Sequence, residues 1–139
     1  VIAAGDLYPD ALPSLHALRA MGLLVGIAGN QPHKTVPALR EAGVEADVIA
    51  SSQDWGVEKP SPEFFARVIR EAGVPADAIL YVGDRVDNDV LPARAAGMRT
   101  AFIRRGPWGI VQAQGPDAAL ADARIESLME LPEVVAGLG

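Results

Sequence analysis

The sequence contains no cysteine, which excludes disulfide bonds, thiolate catalysis and cysteine metal ligands from these 139 residues. A reducing cytoplasm is therefore the default expectation for its location. No apolar run approaches the roughly 18 residues that a membrane-spanning helix needs. Basic residues are fewer than acidic residues. The sequence has 12 lysines and arginines and 18 aspartates and glutamates, which gives a formal net charge of −6. This surface gives no electrostatic reason to expect nucleic acid or an anionic membrane as a partner.

Aromatic residues make up only 5% of the sequence, although half of it is hydrophobic. The apolar surface comes mainly from small aliphatic side chains, which suit helices packed on a parallel sheet. The length predicts a single domain with a sizeable core. Short apolar runs are predicted to be strands at Leu23–Ala28, Val48–Ala50, Ile79–Val82 and Thr100–Ile103, with Ala123–Ile125 as a small edge strand.

Stretches with helical periodicity separate these runs. Helices are predicted at Asp10–Met21, at His33–Glu41 with Pro37 in its first turn, from a Ser61 cap to Gly73, at Asp89–Ala96, and at Leu128–Leu138 with an interruption at Pro132. Irregular structure is predicted for Ser51–Pro60 and Arg104–Asp117. The alternation predicts an α/β fold with a three-layer, doubly wound parallel sheet. Ligands bind such sheets beyond the carboxyl ends of the strands.

The strongest chemical signal follows the third predicted strand, where Gly83 and Asp84 come directly after the apolar run. We interpret Gly83 as the residue that allows a tight turn. Asp84 then projects from a strand end, where the carboxylates of magnesium sites gather. The alternative for the acids that follow is a turn and a helix start. That alternative is favoured for Asp87 and Asn88, metal binding is favoured for Asp84, and Asp89 is intermediate.

Two further signals lie at strand ends. Lys59, between a predicted strand and the helix capped by Ser61, can place one compact positive charge beside a phosphate. The alternative for any single lysine is a solvated surface group. Gly29 and Asn30 follow the first predicted strand, where backbone N–H groups can bind an anion. An ordinary tight turn explains that pair equally well.

In this order, the residues resemble the motifs of the haloacid dehalogenase (HAD) superfamily. The resemblance covers the chain from Leu7 onward and implies a HAD-like Rossmannoid core, one domain over residues 1–139 with no cap domain evident. The matching segments are Gly29-Asn30 for motif II, Lys59-Pro60 for motif III, and Gly83-Asp84 through Asn88-Asp89 for motif IV.

By this resemblance, Asn30 and the Gly29 backbone would hold the transferring phosphoryl group, and Lys59 would neutralise both it and an aspartyl nucleophile. Asp84 would bind Mg²⁺ directly, with Asp89 as a ligand or in support. The implied function is a magnesium-dependent phosphatase of small phosphorylated metabolites. Positioning and charge neutralisation are what phosphoryl transfer requires of such residues.

The chain departs from the family pattern at two points. Gly29 stands where the family usually has Ser or Thr, and no Asp-x-Asp-x-Thr sequence, which carries the family's nucleophile, occurs in the 139 residues. Val1 to Asp6 is expected to be the tail of a removed cap or linker, with the first strand of the fold missing or degenerate. We therefore expect this chain alone to be inactive.

Two alternatives to an enzyme stay open. One is a non-catalytic binding or regulatory domain that has lost the nucleophile. The other is a response-regulator-like receiver, which ranks low because it would need an early acid cluster and a lysine near the chain end, and the only lysines are Lys34 and Lys59.

Overall fold

The computed structural model describes residues 11–105, 112 and 115–138. Val1 to Asp6, the expected tail of a cap or linker, lies outside the described residues. The strands are β1 (Gly26–Gly29), β2 (Val48–Ser51), β3 (Leu80–Gly83), β4 (Arg99–Ile103) and β5 (Ala123–Ile125). The α-helices are α1 (Ala11–Ala20), α2 (Thr35–Glu41), α3 (Ser52–Trp55), α4 (Pro62–Ala72), α5 (Leu91–Ala95) and α6 (Leu131–Leu138). Shorter helical turns are the 3-10 turns at Ala76–Ala78, Pro116–Leu120 and Leu128–Glu130 and a π-helical turn at Val86–Val90.

The strand pairings among the described residues are all parallel, as the alternation of elements predicts. β1 pairs with β2, while β4 pairs with β3 on one side and with β5 on the other. Among the described residues, no ladder joins β1 to β3. Because the strands run in the same direction, the segments after β1, β2 and β3 all emerge at the carboxyl edge. β5 coincides with the predicted edge strand at Ala123–Ile125.

Helices cover both faces of the sheet and make it the middle layer of three. On one face, Leu15 of α1, Leu39 of α2 and Leu131 of α6 share a buried cluster with Ile27 of β1 and Val82 of β3. One apolar core therefore joins both strand groups, even though no described ladder does. Burial of each such side chain contributes on the order of 2 kcal/mol.

The opposite face is where the few aromatic residues concentrate. Phe64 and Phe65 of α4 are fully buried and pack with Tyr81 of β3 and Ala93 of α5. The Phe65 and Tyr81 rings lie 5.2 Å apart between centroids. Such large, fully buried rings tie α4 to the strand that leads into the acidic segment.

The first strand begins later than the sequence predicts, because its partner β2 begins only at Val48. Predicted from Leu23, it starts at Gly26, opposite Val48. Just before this pair, the Asp47 side chain accepts a hydrogen bond from the Val25 N–H at 2.8 Å, and the Val25 carbonyl accepts one from the Asp47 N–H at 2.7 Å. A side-chain contact thus takes the place of the first ladder rung.

The loop predicted over Ser51–Pro60 contains a short helix that the sequence analysis missed. The Ser51 hydroxyl accepts from the Asp54 N–H at 3.1 Å and caps α3, which ends at Gly56 with a positive φ of 71°. A Ser followed three residues later by an acid is a helix-start signal that was available in the sequence. The cap predicted at Ser61 is present, with Pro62 at the start of α4 and Gly73 at its end.

The helix predicted over Asp89–Ala96 begins earlier and with a wider turn. The Arg85 carbonyl accepts from the N–H groups of both Asp89 and Val90, at 3.0 and 3.2 Å, and starts the π-helical turn. Wide turns of this kind are frequent at functional sites. Pro132 lies in the first turn of α6 instead of interrupting a helix. Within the described part of the chain, no helix is long and apolar enough to cross a membrane.

Candidate active site

A buried ion pair lies at the carboxyl edge of the sheet. The Lys59 Nζ and Asp89 Oδ1 atoms are 2.7 Å apart, and the two residues are 9% and 0% exposed. Removing two charges from water is costly, and further hydrogen bonds are needed to offset that cost. The pair joins the loop after α3 to the π-helical turn after β3, which are the two segments that carry the strongest sequence signals.

Asp89 receives hydrogen bonds on both carboxylate oxygens. Oδ1 accepts from Lys59 and also from the Tyr81 hydroxyl, at 3.3 Å. Oδ2 accepts from the Arg85 backbone N–H at 3.2 Å. Asp89 therefore acts as a fixed anchor for Lys59, and protein donors already engage both of its oxygens.

Gly83 has a different role from the predicted one. It is not among the described glycines with a positive φ, so a tight turn is not what requires it. A Cβ at this position would lie 2.3 Å from Asp89 Cβ and 2.4 Å from Asp89 Cγ, closer than real contacts permit. The missing side chain of Gly83 makes the space into which Asp89 folds back.

Asn30 holds the loop that carries Lys59. Its Nδ2 donates to the Lys59 carbonyl at 3.0 Å, and its Oδ1 accepts from the Lys59 N–H at 2.8 Å. The Lys59–Pro60 peptide in this loop is cis. The structure thus brings Asn30 and Lys59 together through backbone hydrogen bonds, while direct contact of Asn30 with phosphate stays a prediction.

Asp84 lies half-buried beside this pair. Burial raises the pKa of its carboxyl, the negative charge of Asp89 raises it further, and the positive charge of Lys59 opposes the shift. A desolvated carboxylate next to another acid is stabilised by a nearby cation. Lys59, Asp84 and Asp89 therefore interact electrostatically, and Asn30 joins them through its hydrogen bonds to the Lys59 backbone.

The donor set fits a magnesium ion in part. Asp84 can offer a carboxylate oxygen, whereas Asp89 is engaged with protein donors. No group of three acidic or histidine side chains suited to a metal occurs among the described residues. Magnesium binds through one or two carboxylates and completes its octahedron with water and phosphate oxygens, so the Asp84 carboxylate is compatible with a site of that kind.

Asp87 supports the loop, in agreement with the structural interpretation of this residue. Its carboxylate accepts two hydrogen bonds from Arg85, at 3.1 and 2.7 Å. These bonds, and one from Gln112 at 3.0 Å, lower the pKa of Asp87 to about 2. Gln112 also accepts from the Val86 N–H at 2.6 Å. The sequence carried no signal for Gln112, because a glutamine in a Gly/Pro-rich stretch has no periodic pattern.

A polar hollow of about 640 Å³ opens beside Asn30. Its lining includes the polar residues Asn30, Gln31, Ser52, Gln53 and Glu58. The hollow lies between the segments that follow β1 and β2. Its volume suits a small polar molecule.

Tyr81 is a second residue of the site that lies outside the predicted set. The sequence predicts it only as part of a buried strand, yet its hydroxyl reaches the buried Asp89. Burial raises the pKa of Tyr81 well above its ordinary value, and the negative charge of Asp89 adds to that effect. A tyrosine in an otherwise apolar strand is a usable signal, because a buried hydroxyl requires a partner.

Comparison with known proteins identifies relatives of this chain. A family model described as haloacid dehalogenase-like hydrolase matches residues 1–97. The chain is 36% identical over 131 residues to the glyceraldehyde 3-phosphate phosphatase of Methanopyrus kandleri, covering 92% of this chain and 56% of that protein.

Two solved structures share the fold over nearly all of the chain. A HAD phosphatase from Thermococcus onnurineus is 31% identical with a TM-score of 0.80, over 95% of this chain and 59% of that one. A 2-haloacid dehalogenase from Pseudomonas syringae is 30% identical with a TM-score of 0.75, over 96% and 55%. The chain thus spans somewhat more than half the length of these relatives.

Proposed function

Because the chain belongs to the haloacid dehalogenase-like hydrolase family, we propose that it is the phosphate-binding part of a magnesium-dependent phosphatase. In the complete protein, an aspartyl nucleophile would take the phosphoryl group from a small phosphorylated metabolite. The observation that carries the proposal is the buried Lys59 ammonium, which Asp89 holds 2.7 Å away beside the half-buried Asp84. A cation and an acid at a strand end suit phosphate together with a divalent metal.

Lys59 neutralises the phosphoryl group in this proposal. Its ammonium has three N–H donors, and Asp89 accepts from one of them. The others can donate to phosphate oxygens, whose charge must be stabilised as the group transfers. Asn30 contributes by holding the Lys59 backbone, and the Gly29 backbone can donate to phosphate where relatives use a hydroxyl.

Asp84 holds the magnesium ion in this proposal, and Asp89 supports the site through Lys59. Bound magnesium would neutralise phosphate oxygens and orient the group. The two acids also favour the phosphatase branch over the dehalogenase branch of the superfamily, since dehalogenases use the aspartyl nucleophile without a metal.

The substrate class rests on the polar hollow and on the relatives. The polar residues that line the hollow are uncharged apart from Glu58, whose negative charge favours an uncharged, hydroxylated leaving group over an acidic one. The relative from Methanopyrus kandleri is named for glyceraldehyde 3-phosphate, whose carbon part has this character. We therefore propose a small phosphorylated metabolite as substrate.

The first prediction concerns turnover. The 139-residue chain should not hydrolyse an aryl phosphate at a useful rate, because it contains no Asp-x-Asp-x-Thr segment to supply the nucleophile. The product of the complete reading frame should be active with magnesium. In that protein Lys59→Ala and Asp84→Ala should each lower kcat/KM at least about a hundredfold, whereas the exposed Lys34→Ala should leave it unchanged. Phosphate release is the measurement.

Two results would contradict this proposal. Robust, Asp84-dependent turnover by the 139-residue chain would show that it contains its own nucleophile. An inactive complete protein that still binds phosphate would instead support a non-catalytic binding domain.

The second prediction concerns the metal. Magnesium should bind the 139-residue chain weakly, because the nucleophile carboxylate that completes the family's site is not in its sequence. Asp84→Asn should weaken binding further, by at least about tenfold. Asp87→Asn is the matched control, since Asp87 lies in the same segment but pairs with Arg85. Calorimetric titration tests this, and equal affinities for the wild type and Asp84→Asn would mean that Asp84 is not a ligand.

A further inference from the structure

We propose that Tyr81 is a positioning residue, whose hydroxyl aims the Lys59 ammonium at the phosphate site through the shared oxygen Oδ1 of Asp89. The inference rests on the proposed function in one respect only, namely that phosphate binds where the Lys59 ammonium points. The positioning itself follows from contacts between three buried side chains.

The Tyr81 hydroxyl is buried in the protein interior. Tyr81 is 1% exposed, lies in the middle of β3 and packs against Phe65. The packing needs only the aromatic ring, which phenylalanine would supply without the cost of burying a hydroxyl. The Tyr81 hydroxyl finds its partner in Asp89, at 3.3 Å.

Tyr81 and Lys59 donate hydrogen bonds to the same oxygen atom of Asp89. Asp89 Oδ1 accepts from both the Tyr81 hydroxyl and the Lys59 ammonium, while Oδ2 accepts from the Arg85 N–H. Donors on both oxygens oppose rotation of the carboxylate about its terminal bond. Gly83 closes the remaining side, because its backbone packs directly against Asp89.

Lys59 has a flexible four-carbon side chain, so its partners set the direction of its ammonium group. Asn30 fixes its backbone, and Asp89 fixes its ammonium. If the Tyr81 hydroxyl is removed, Oδ1 keeps only the Lys59 ammonium as a donor and loses the one that a rigid ring holds in place, so the carboxylate is held less firmly. The ammonium would then follow a moving partner instead of a fixed one.

The test uses the two lysines of the chain, Lys34 and Lys59. In the ¹⁵N-labelled 139-residue chain, the buried Lys59 ammonium protons should exchange with water much more slowly than those of the exposed Lys34, measured by NMR. Tyr81→Phe, which keeps the ring, should accelerate Lys59 exchange roughly tenfold. The Lys34 rate should stay the same, and far-UV circular dichroism should show a native fold.

Phe65→Leu is the matched control, because it loosens the packing around Tyr81 and leaves the hydroxyl in place. It should lower the urea midpoint while leaving Lys59 exchange slow. The proposal is overturned if Tyr81→Phe leaves the Lys59 rate unchanged, if Phe65→Leu accelerates it equally, or if Lys59 already exchanges as fast as Lys34 in the wild type.

A second readout needs no substitution. In the wild-type chain, the Tyr81 hydroxyl proton should give a slowly exchanging resonance close in space to the Lys59 ammonium protons, and its absence would overturn the proposal. None of these measurements involves substrate, metal or turnover. A failure of the phosphatase proposal therefore leaves their outcome unaffected, and a failure here leaves that proposal standing.

Discussion

Gly83→Ala is expected to destabilise the protein by about 3 kcal/mol, the upper part of the usual range for overpacking. The added Cβ would lie 2.3 Å from Asp89 Cβ and 2.6 Å from Asp89 Oδ2. The contact at 2.3 Å is with the base of the side chain, so rotation of the carboxylate alone cannot relieve it. Asp89 must move, and the hydrogen bonds of its carboxylate to Lys59 and Tyr81 must lengthen. The measurement is the free energy of unfolding in urea.

Gly137→Ala is the matched control, because nothing lies within 4 Å of a Cβ at that position in α6. That change should leave stability unchanged or raise it by up to about 1 kcal/mol, since alanine is the better helix former. If Gly83→Ala were as harmless as Gly137→Ala, the close approach of Asp89 to the strand end would be wrong.

Breaking the buried Lys59–Asp89 ion pair should lower the free energy of unfolding by as much as Gly83→Ala does, or by more. Lys59→Met and Asp89→Asn should each destabilise the protein by about 3–5 kcal/mol, because each leaves one buried charge uncompensated. The double variant should cost clearly less than the sum of the two, since neither charge is then left alone. Unfolding in urea of the wild type, both single variants and the double variant completes the cycle.

The exposed pair Arg67–Glu71 provides the comparison. Its atoms are 2.8 Å apart, almost as close as those of the buried pair, but the side chains are 32% and 36% exposed. The same cycle with Arg67→Met and Glu71→Gln should give a coupling of roughly 0.3–0.5 kcal/mol. Equal coupling energies for the two pairs would show that solvent reaches Lys59 and Asp89.

Local sequence patterns predicted the elements whose bounds are set by residues within them or next to them. The helix that begins at Ser61 and Pro62 and ends at Gly73 follows from capping chemistry. The edge strand at Ala123–Ile125, in which Arg124 lies between Ala123 and Ile125, was predicted at the correct bounds. Helix α3 was missed although Ser51 and Asp54 carried the signal for its start.

Contacts that no sequence pattern marks decided the errors. The start of β1 depends on Asp47, which replaces the first ladder rung. The wide turn after β3 depends on the Arg85 carbonyl, which accepts two N–H groups. Neither effect leaves a periodic trace in the residues concerned, so the predicted boundaries at Leu23 and Asp89 were wrong.

The sequence alone determined the α/β class, the parallel direction of the strands and the loops that carry Asn30, Lys59 and Asp84. It could do so because strand and helix periodicities and capping residues act within a few positions of each other. Only the tertiary structure decided what these residues contact. Asn30 holds the Lys59 backbone, Gly83 makes room for Asp89, and Tyr81 shares an oxygen with Lys59. Those contacts join separate segments, so they depend on strand register and on the turn after β3, which no local pattern encodes.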